Sequence, residues 1–231
     1  GRYHYLLNKY DDIAVLDVRG PIVSYESWIN RFFGMVSYEE IANAAVTASR
    51  DPNISKILLK MDSPGGTVKG VDECCNTLRL LAKNELPIYT LVSGEMNSAA
   101  YFIGSVATKI FSTALSISGS IGAVRPLISQ FNMLKDMGID VKILRSPEFK
   151  ALGHPLEPMN DKAIEVHQQS TEHFAQLFEQ YVAENRGTTV ELVREKFGQG
   201  KTFIGQLAVD NGLVDEITTF EAVIKRLRSN D

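Results

Sequence analysis

The chain has 231 residues, 44% of them apolar and 23% charged, with a formal net charge of -4. That length serves one large α/β domain or two small ones, and the composition excludes disordered and fibrous classes. The acidic balance supplies no basic field for a phosphate backbone, so nucleic acid is not the expected partner.

No run of about 18 apolar residues is present to cross a membrane, and the opening GRYHYLLNKYDD lacks the basic-then-apolar order of a signal peptide. Gly1 in the first position leaves open a removed anchor, leader or C-terminal extension. The only cysteines, Cys74 and Cys75, are adjacent inside an apolar-periodic stretch and read as reduced thiols of the core.

Apolar runs of strand length alternate with helix-period segments, the pattern of an α/β fold with helices packed on a largely parallel sheet. The first strand is read at Ile13–Gly20. Ser37 with Glu40 has capping-box spacing and opens a helix with Ile41, Ala44, Ala45 and Ala48 on one face. A second strand, Lys56–Asp62, runs into Ser63-Pro64-Gly65-Gly66, a helix is read from Val68 to Lys83, and a third strand spans Ile88–Val92. Then come a glycine-containing turn and an apolar helix in SGEMNSAAYFIGSVA, the strand KIFST, and the glycine-spaced SISGSIGAV. Beyond these are a helix around Leu127–Met137 and the strand DVKILR. Residues 146–160 form a loop with three prolines, and 161–186 a long helix that ends at Gly187. Its apolar stripe of Ile164, Val166, Phe174, Leu177, Phe178, Tyr181 and Val182 could face its own sheet or another protomer. A helical and strand return anchored by Phe203, Leu207, Ala208, Leu213 and Val214 closes the chain. With no internal repeat and no low-complexity linker, residues 1–231 read as one domain, the part from about 161 serving oligomerisation.

Two turns, Asp62–Gly66 and Gly94–Ala100, each end a predicted strand and precede a helix, so backbone N–H groups and positive helix ends face one mouth of the sheet, where open α/β folds place ligands. Pro64-Gly65-Gly66 alone reads equally as a plain tight turn. Ser98 alone reads as a helix N-cap. As a nucleophile it would need a base. Of the four histidines, His167 and His173 lie in the polar long helix, His4 near the start, and His154 in the proline-bearing loop, where it stays open as a partner.

Taken together, MDSPGG, GEMNSAAYFIGSVATKIFSTALSISGSIGAV and RSPEFKALGHPLEPM resemble the signal peptide peptidase A (protease IV) family of serine peptidases, which includes phage head-maturation proteases. The likeness runs from about Ile13 to Ile217 and is densest between Asp62 and Met159. It implies a ClpP/crotonase-like fold, parallel sheet core with flanking helices, and a Ser-Lys dyad. By the resemblance Ser98 is the nucleophile, Lys150 the general base and Ser120 the residue orienting the lysine amine. Ala99 with Gly65 or Gly66 then forms the oxyanion hole. Ala99-Ala100 stands where signal peptide peptidases often carry two glycines, a shift of subfamily that leaves the dyad intact. A lysine acts as a base near neutral pH only when burial favours its neutral form, and the apolar flanks Phe149, Ala151 and Leu152 suit that.

The expected activity is a serine endopeptidase of the phage or prophage head-maturation type, cytoplasmic or in the procapsid. It would be a homo-oligomer acting on extended protein segments, capsid or scaffold proteins among them, with no cofactor and no metal. The alternative is a signal peptide peptidase that has lost its anchor and works at the membrane. Other classes are an acyl-CoA hydratase or isomerase, for which Glu95 is the only carboxylate in the second loop, and an inactive scaffold module.

Overall fold

The computed structural model describes residues 6–84 and 86–229, the side chain of Ser229 excepted. They fall into two compact units, one formed by the chain up to Gly122 together with the part from Phe178 onward, the other by Ala123–Leu177.

The first unit is built on a mostly parallel sheet. Its path runs through β1 (Leu7–Tyr10), β2 (Ile13–Arg19), β5 (Lys56–Ser63), β6 (Ile88–Asn97), β7 (Lys109–Ser112) and β10 (Glu216–Ile217). Only β1 on β2 is antiparallel along that path. The far end of β6 also pairs with β8 (Ile117–Gly119), and β8 pairs antiparallel with β9 (Thr202–Ile204). A separate two-stranded ribbon joins β3 (Ile22–Val23) to β4 (Val36–Ser37), with the short helix α1 (Trp28–Phe32) between them. This mixed α/β architecture agrees with the fold the resemblance implies.

Strict alternation along the strands divides the interior into two layers. Ala14, Leu16 and Val18 of β2, with Ile57, Leu59 and Met61 of β5, face the larger layer, while Ile13, Val15 and Leu58 face the smaller. Because both faces are covered, the strands read as continuous apolar runs in the sequence. The larger layer is closed by α2 (Tyr38–Ser49), α3 (Val71–Lys83) and α4 (Ala99–Gly104), the smaller by α9 (Phe220–Ser229) through Val223, Ile224 and Leu227. The capping box of α2 is present in full, with Ser37 and Glu40 satisfying each other's backbone N–H groups, and Ile41, Ala44, Ala45 and Ala48 are buried as the spacing requires. Both cysteines are free and buried; burial pushes the Cys75 thiol up to about 11.

Tyr101 of α4 is fully buried and its hydroxyl donates to the Leu213 carbonyl at 2.9 Å, tying the helix behind Ser98 to the chain's return. Tyr101→Phe leaves that carbonyl without its partner and is expected to destabilise the protein by about 1–2 kcal/mol. A urea midpoint equal to wild type would contradict this.

The second unit holds α5 (Phe131–Asp136) and the first four turns or more of α6 (Asp161–Asn185). The helix expected over Leu127–Met137 shortens to six residues because the preceding backbone bonds to the loop instead. Gln130 N–H donates to the Pro155 carbonyl at 2.7 Å, and Ser129 Oγ to that of Glu157 at 2.8 Å. The strand expected at Asp140–Arg145 is absent. Its period-two pattern survives, with Val141 and Ile143 half-buried and Lys142 and Leu144 exposed, yet it has no ladder partner among the described residues. The long helix divides its stripe: Phe178 and Val182 are buried in the first unit, whereas Ile164, Phe174 and Leu177 are exposed. The return adds the short helices α7 (Val190–Lys196) and α8 (Gln206–Asp210). There Ala208, Leu213 and Val214 are buried as expected and Leu207 is exposed.

Candidate active site

The segment Gly94–Asn97, expected as a turn, is strand: β6 continues through it because β8 offers a partner, Glu95 facing Ile117 and Asn97 facing Gly119. The chain then reverses at one residue. Ser98 has φ 51 and ψ -125, a left-handed backbone for a residue with a Cβ, and α4 starts immediately after it. Such a conformation costs on the order of 1–3 kcal/mol and persists only where the surroundings impose it. Here Ser98 N–H donates to the Gly119 carbonyl at 2.9 Å, and α4 behind it is buried along its whole length. Ser98 holds the N-cap position of α4, as Ser98 alone reads in the sequence, but its side chain makes no capping hydrogen bond with the helix. Ser98 is half-buried at a strand-to-helix elbow, the geometry in which nucleophile elbows are built.

The glycine pair lies against this elbow. Gly65 has φ 104, and a Cβ on it would fall 2.7 Å from Ser98 Cβ and 3.1 Å from Ala99 N; one on Gly66 would fall 1.8 Å from the Ile22 carbonyl oxygen. Glycine is therefore required at both positions for the loop to approach Ser98 and β3 at once. The Gly65 N–H donates to Ser63 Oγ at 3.2 Å. The Gly66 and Ala99 N–H groups find no partner among the described residues. Beyond the pair, Ile22 accepts from Thr67 N–H at 3.0 Å and Tyr38 donates to the Thr67 carbonyl, with burial pushing the Tyr38 phenol well up so that it stays a donor.

Ser120 also has a left-handed backbone, φ 54, and directly succeeds the Gly119 that accepts from Ser98; its own N–H donates to the Lys201 carbonyl at 2.8 Å. Ser98 and Ser120 are thus brought together through the main chain. Residues not singled out from the sequence also shape the elbow. Asn97, 8% exposed, donates through Nδ2 to Glu95 Oε2 at 2.8 Å, leaving its Oδ1 buried with no partner among the described residues. Asn97 and Ser63 stand inside the motifs GEMNSAA and MDSPGG, yet no role is read for either from the sequence, because each acts through a contact two residues along the chain, Asn97 with Glu95 and Ser63 with Gly65.

Lys150 belongs to the second unit, exposed on a turn where its N–H donates to the Pro147 carbonyl at 3.0 Å. In the same unit, His154 Nδ1 accepts from Leu156 N–H at 3.2 Å, a local turn contact, and His167 is held between Arg125 and the Leu152 carbonyl. His173 is exposed, and His4 lies outside the described residues. Among the described residues no group of three or more His, Cys, Asp or Glu could hold a metal ion, and no helix is long and apolar enough to cross a membrane.

Comparison with known proteins bears on this arrangement. Residues 81–231 match the model of peptidase family S49. The chain is 29% identical over 216 residues to capsid assembly protease C of Escherichia phage lambda, which covers 94% of this chain and 48% of that protein. It is 29% identical over 205 residues to head-tail preconnector protein GP5 of Enterobacteria phage P21, 89% of this chain and 40% of that one. To protease 4 of Haemophilus influenzae it is 27% identical over 223 residues, 96% of this chain and 35% of the relative. The chain spans about half the length of the curated relatives it matches, or less. Because the matched family model extends over well more than half of the sequence and takes in both the elbow at Ser98 and the turn at Lys150, the chain belongs to peptidase family S49.

Proposed function

We propose that this protein is a serine endopeptidase in which Ser98 is the nucleophile and Lys150 the general base. The observation that carries the reading is the strained elbow at Ser98, beside two backbone amides that have no other partner among the described residues. Ser98 Oγ attacks the scissile carbonyl and its proton passes to the neutral Lys150 amine. The Ala99 and Gly66 N–H groups receive the oxyanion, an interaction worth roughly 3–4 kcal/mol per donor in comparable sites. Of the two glycines, Gly66 is the better donor, since Gly65 N–H is already engaged by Ser63. Lys150 then returns the proton to the leaving amine and a water completes the cycle through the same base. Ser120, adjacent to the Gly119 link, orients the amine.

Residues 1–231 act as one peptidase domain in this reading, which the span of the family match across both units supports. The working form is a homo-oligomer. The second unit exposes Val124, Ile128, Met137, Leu144 and Phe149, the last next to Lys150; cover from a neighbouring protomer would bury these. Two relatives named for capsid assembly and head-tail connection favour a head-maturation role on capsid or scaffold proteins, in the host cytoplasm or procapsid. The likeness to a relative named putative signal peptide peptidase SppA favours the second reading, a signal peptide peptidase, here one acting at the membrane.

Digestion of fluorescein-labelled casein, with cut sites mapped by mass spectrometry, tests the assignment. An extended substrate added along a sheet edge is read through alternate side chains, so cuts are expected after small or aliphatic residues in unfolded segments. No cleavage by the oligomeric protein, or cleavage only after charged residues, would count against it.

A further inference from the structure

The ladder between β5 and β6 is regular from Ile57 opposite Ile88 to Met61 opposite Val92, and then jumps, with Ser63 opposite Met96. Between these pairs β5 supplies one residue, Asp62, and β6 supplies three, Ser93, Gly94 and Glu95. Surplus residues on one strand interrupt the ladder and redirect the chain. The segment redirected here is Met96, Asn97 and Ser98.

A side chain repairs the gap. Asp62 Oδ1 accepts the Glu95 N–H at 3.2 Å, in place of a backbone carbonyl. The carboxylate occupies the space where a side chain on residue 94 would stand: a Cβ on Gly94 would fall 2.0 Å from the same oxygen. Glu95 in turn accepts from Asn97 Nδ2 at 2.8 Å, so the hold passes to the residue before Ser98. The main chain of Asp62 opens the other loop. Its carbonyl accepts from Gly20 N–H at 3.0 Å, and the next residue, Ser63, takes Gly65 N–H on its Oγ.

We propose that Asp62 is a positioning residue that sets Ser98 against the Gly66 amide, acting through the acceptor it offers to Glu95 N–H in the space that Gly94 leaves open. The proposal rests on the reading of Ser98 as nucleophile. Its signature is a loss in kcat with little change in KM, because substrate contacts remain while the reacting atoms are misplaced; a shift of about 1 Å can lower turnover about 100-fold.

Steady-state kinetics on a fluorogenic peptide drawn from a mapped casein cut, with thermal melts of each variant, test it. Asp62→Ala is expected to lower kcat about 10- to 100-fold with KM nearly unchanged. Asp62→Asn, which keeps an oxygen acceptor of the same reach, restores most of that loss. Gly94→Ala displaces the carboxylate and gives a similar fall by a second route, which serves if Asp62→Ala does not fold. In the double variant Asp62→Ala/Gly94→Ala the second change adds much less than it does alone, since the space is already vacated. Wild-type kcat in folded Asp62→Ala, or Asp62→Asn as impaired as Asp62→Ala, overturns the proposal, provided that Ser98→Ala measured alongside is inactive. An active Ser98→Ala instead overturns the nucleophile reading beneath it.

Discussion

Ser98→Ala is expected to abolish peptide cleavage, with turnover on casein falling by about six orders of magnitude, the loss seen when a serine-protease nucleophile is removed. The fold is expected to survive. Alanine keeps the Cβ, so the left-handed strain at this position is unchanged, and the hydroxyl makes no capping bond whose loss would weaken α4. A melt within a few degrees of wild type together with lost turnover is the predicted pair of results. Turnover near wild type in the variant would contradict the account.

Lys150→Arg is the second large effect. Arginine stays protonated throughout the working range and cannot accept the serine proton, so activity is expected to fall by orders of magnitude, as it should in Lys150→Ala. An unchanged pH profile in Lys150→Arg would exclude a lysine base, and a folded but inactive His154→Ala would point to a Ser-His pair instead. His154 Nδ1 is already committed to Leu156 N–H, so its replacement is expected to matter much less. Mixing inactive Ser98→Ala with inactive Lys150→Ala separates the two ways of completing the dyad. Activity regained in hybrid oligomers means that one site draws on two chains, and its absence, in hybrids verified by native mass spectrometry, means that each protomer carries a whole dyad.

The range of the forces involved sets how far the sequence can be read. The apolar runs at Ile57–Met61 and Ile88–Val92, the Ser37–Glu40 box and the helix end at Gly187 are local signals, and the structure has each of them. Gly94 reads as a turn because its strand conformation depends on Asp62, distant in sequence, and on β8. The edge strand β1 escapes notice because only Leu7 of its four residues is buried, leaving no alternation to see. At Asp140–Arg145 the alternation is present without a pairing strand among the described residues, which no local pattern can supply. Within the site, Ser98 alone is indistinguishable from a helix cap, and only its backbone angles and the absent capping bond separate the two. Lys150 is legible solely through the resemblance, since an exposed loop lysine carries no local mark of a base.

The most direct test of the central claim is to treat the protein with a fluorophosphonate and locate the adduct by tandem mass spectrometry of its peptides. The account predicts one adduct per chain, on Ser98, formed in wild type and strongly slowed in Lys150→Ala. Labelling elsewhere with Ser98 unmodified, or none under conditions in which the protein cleaves casein, would contradict it.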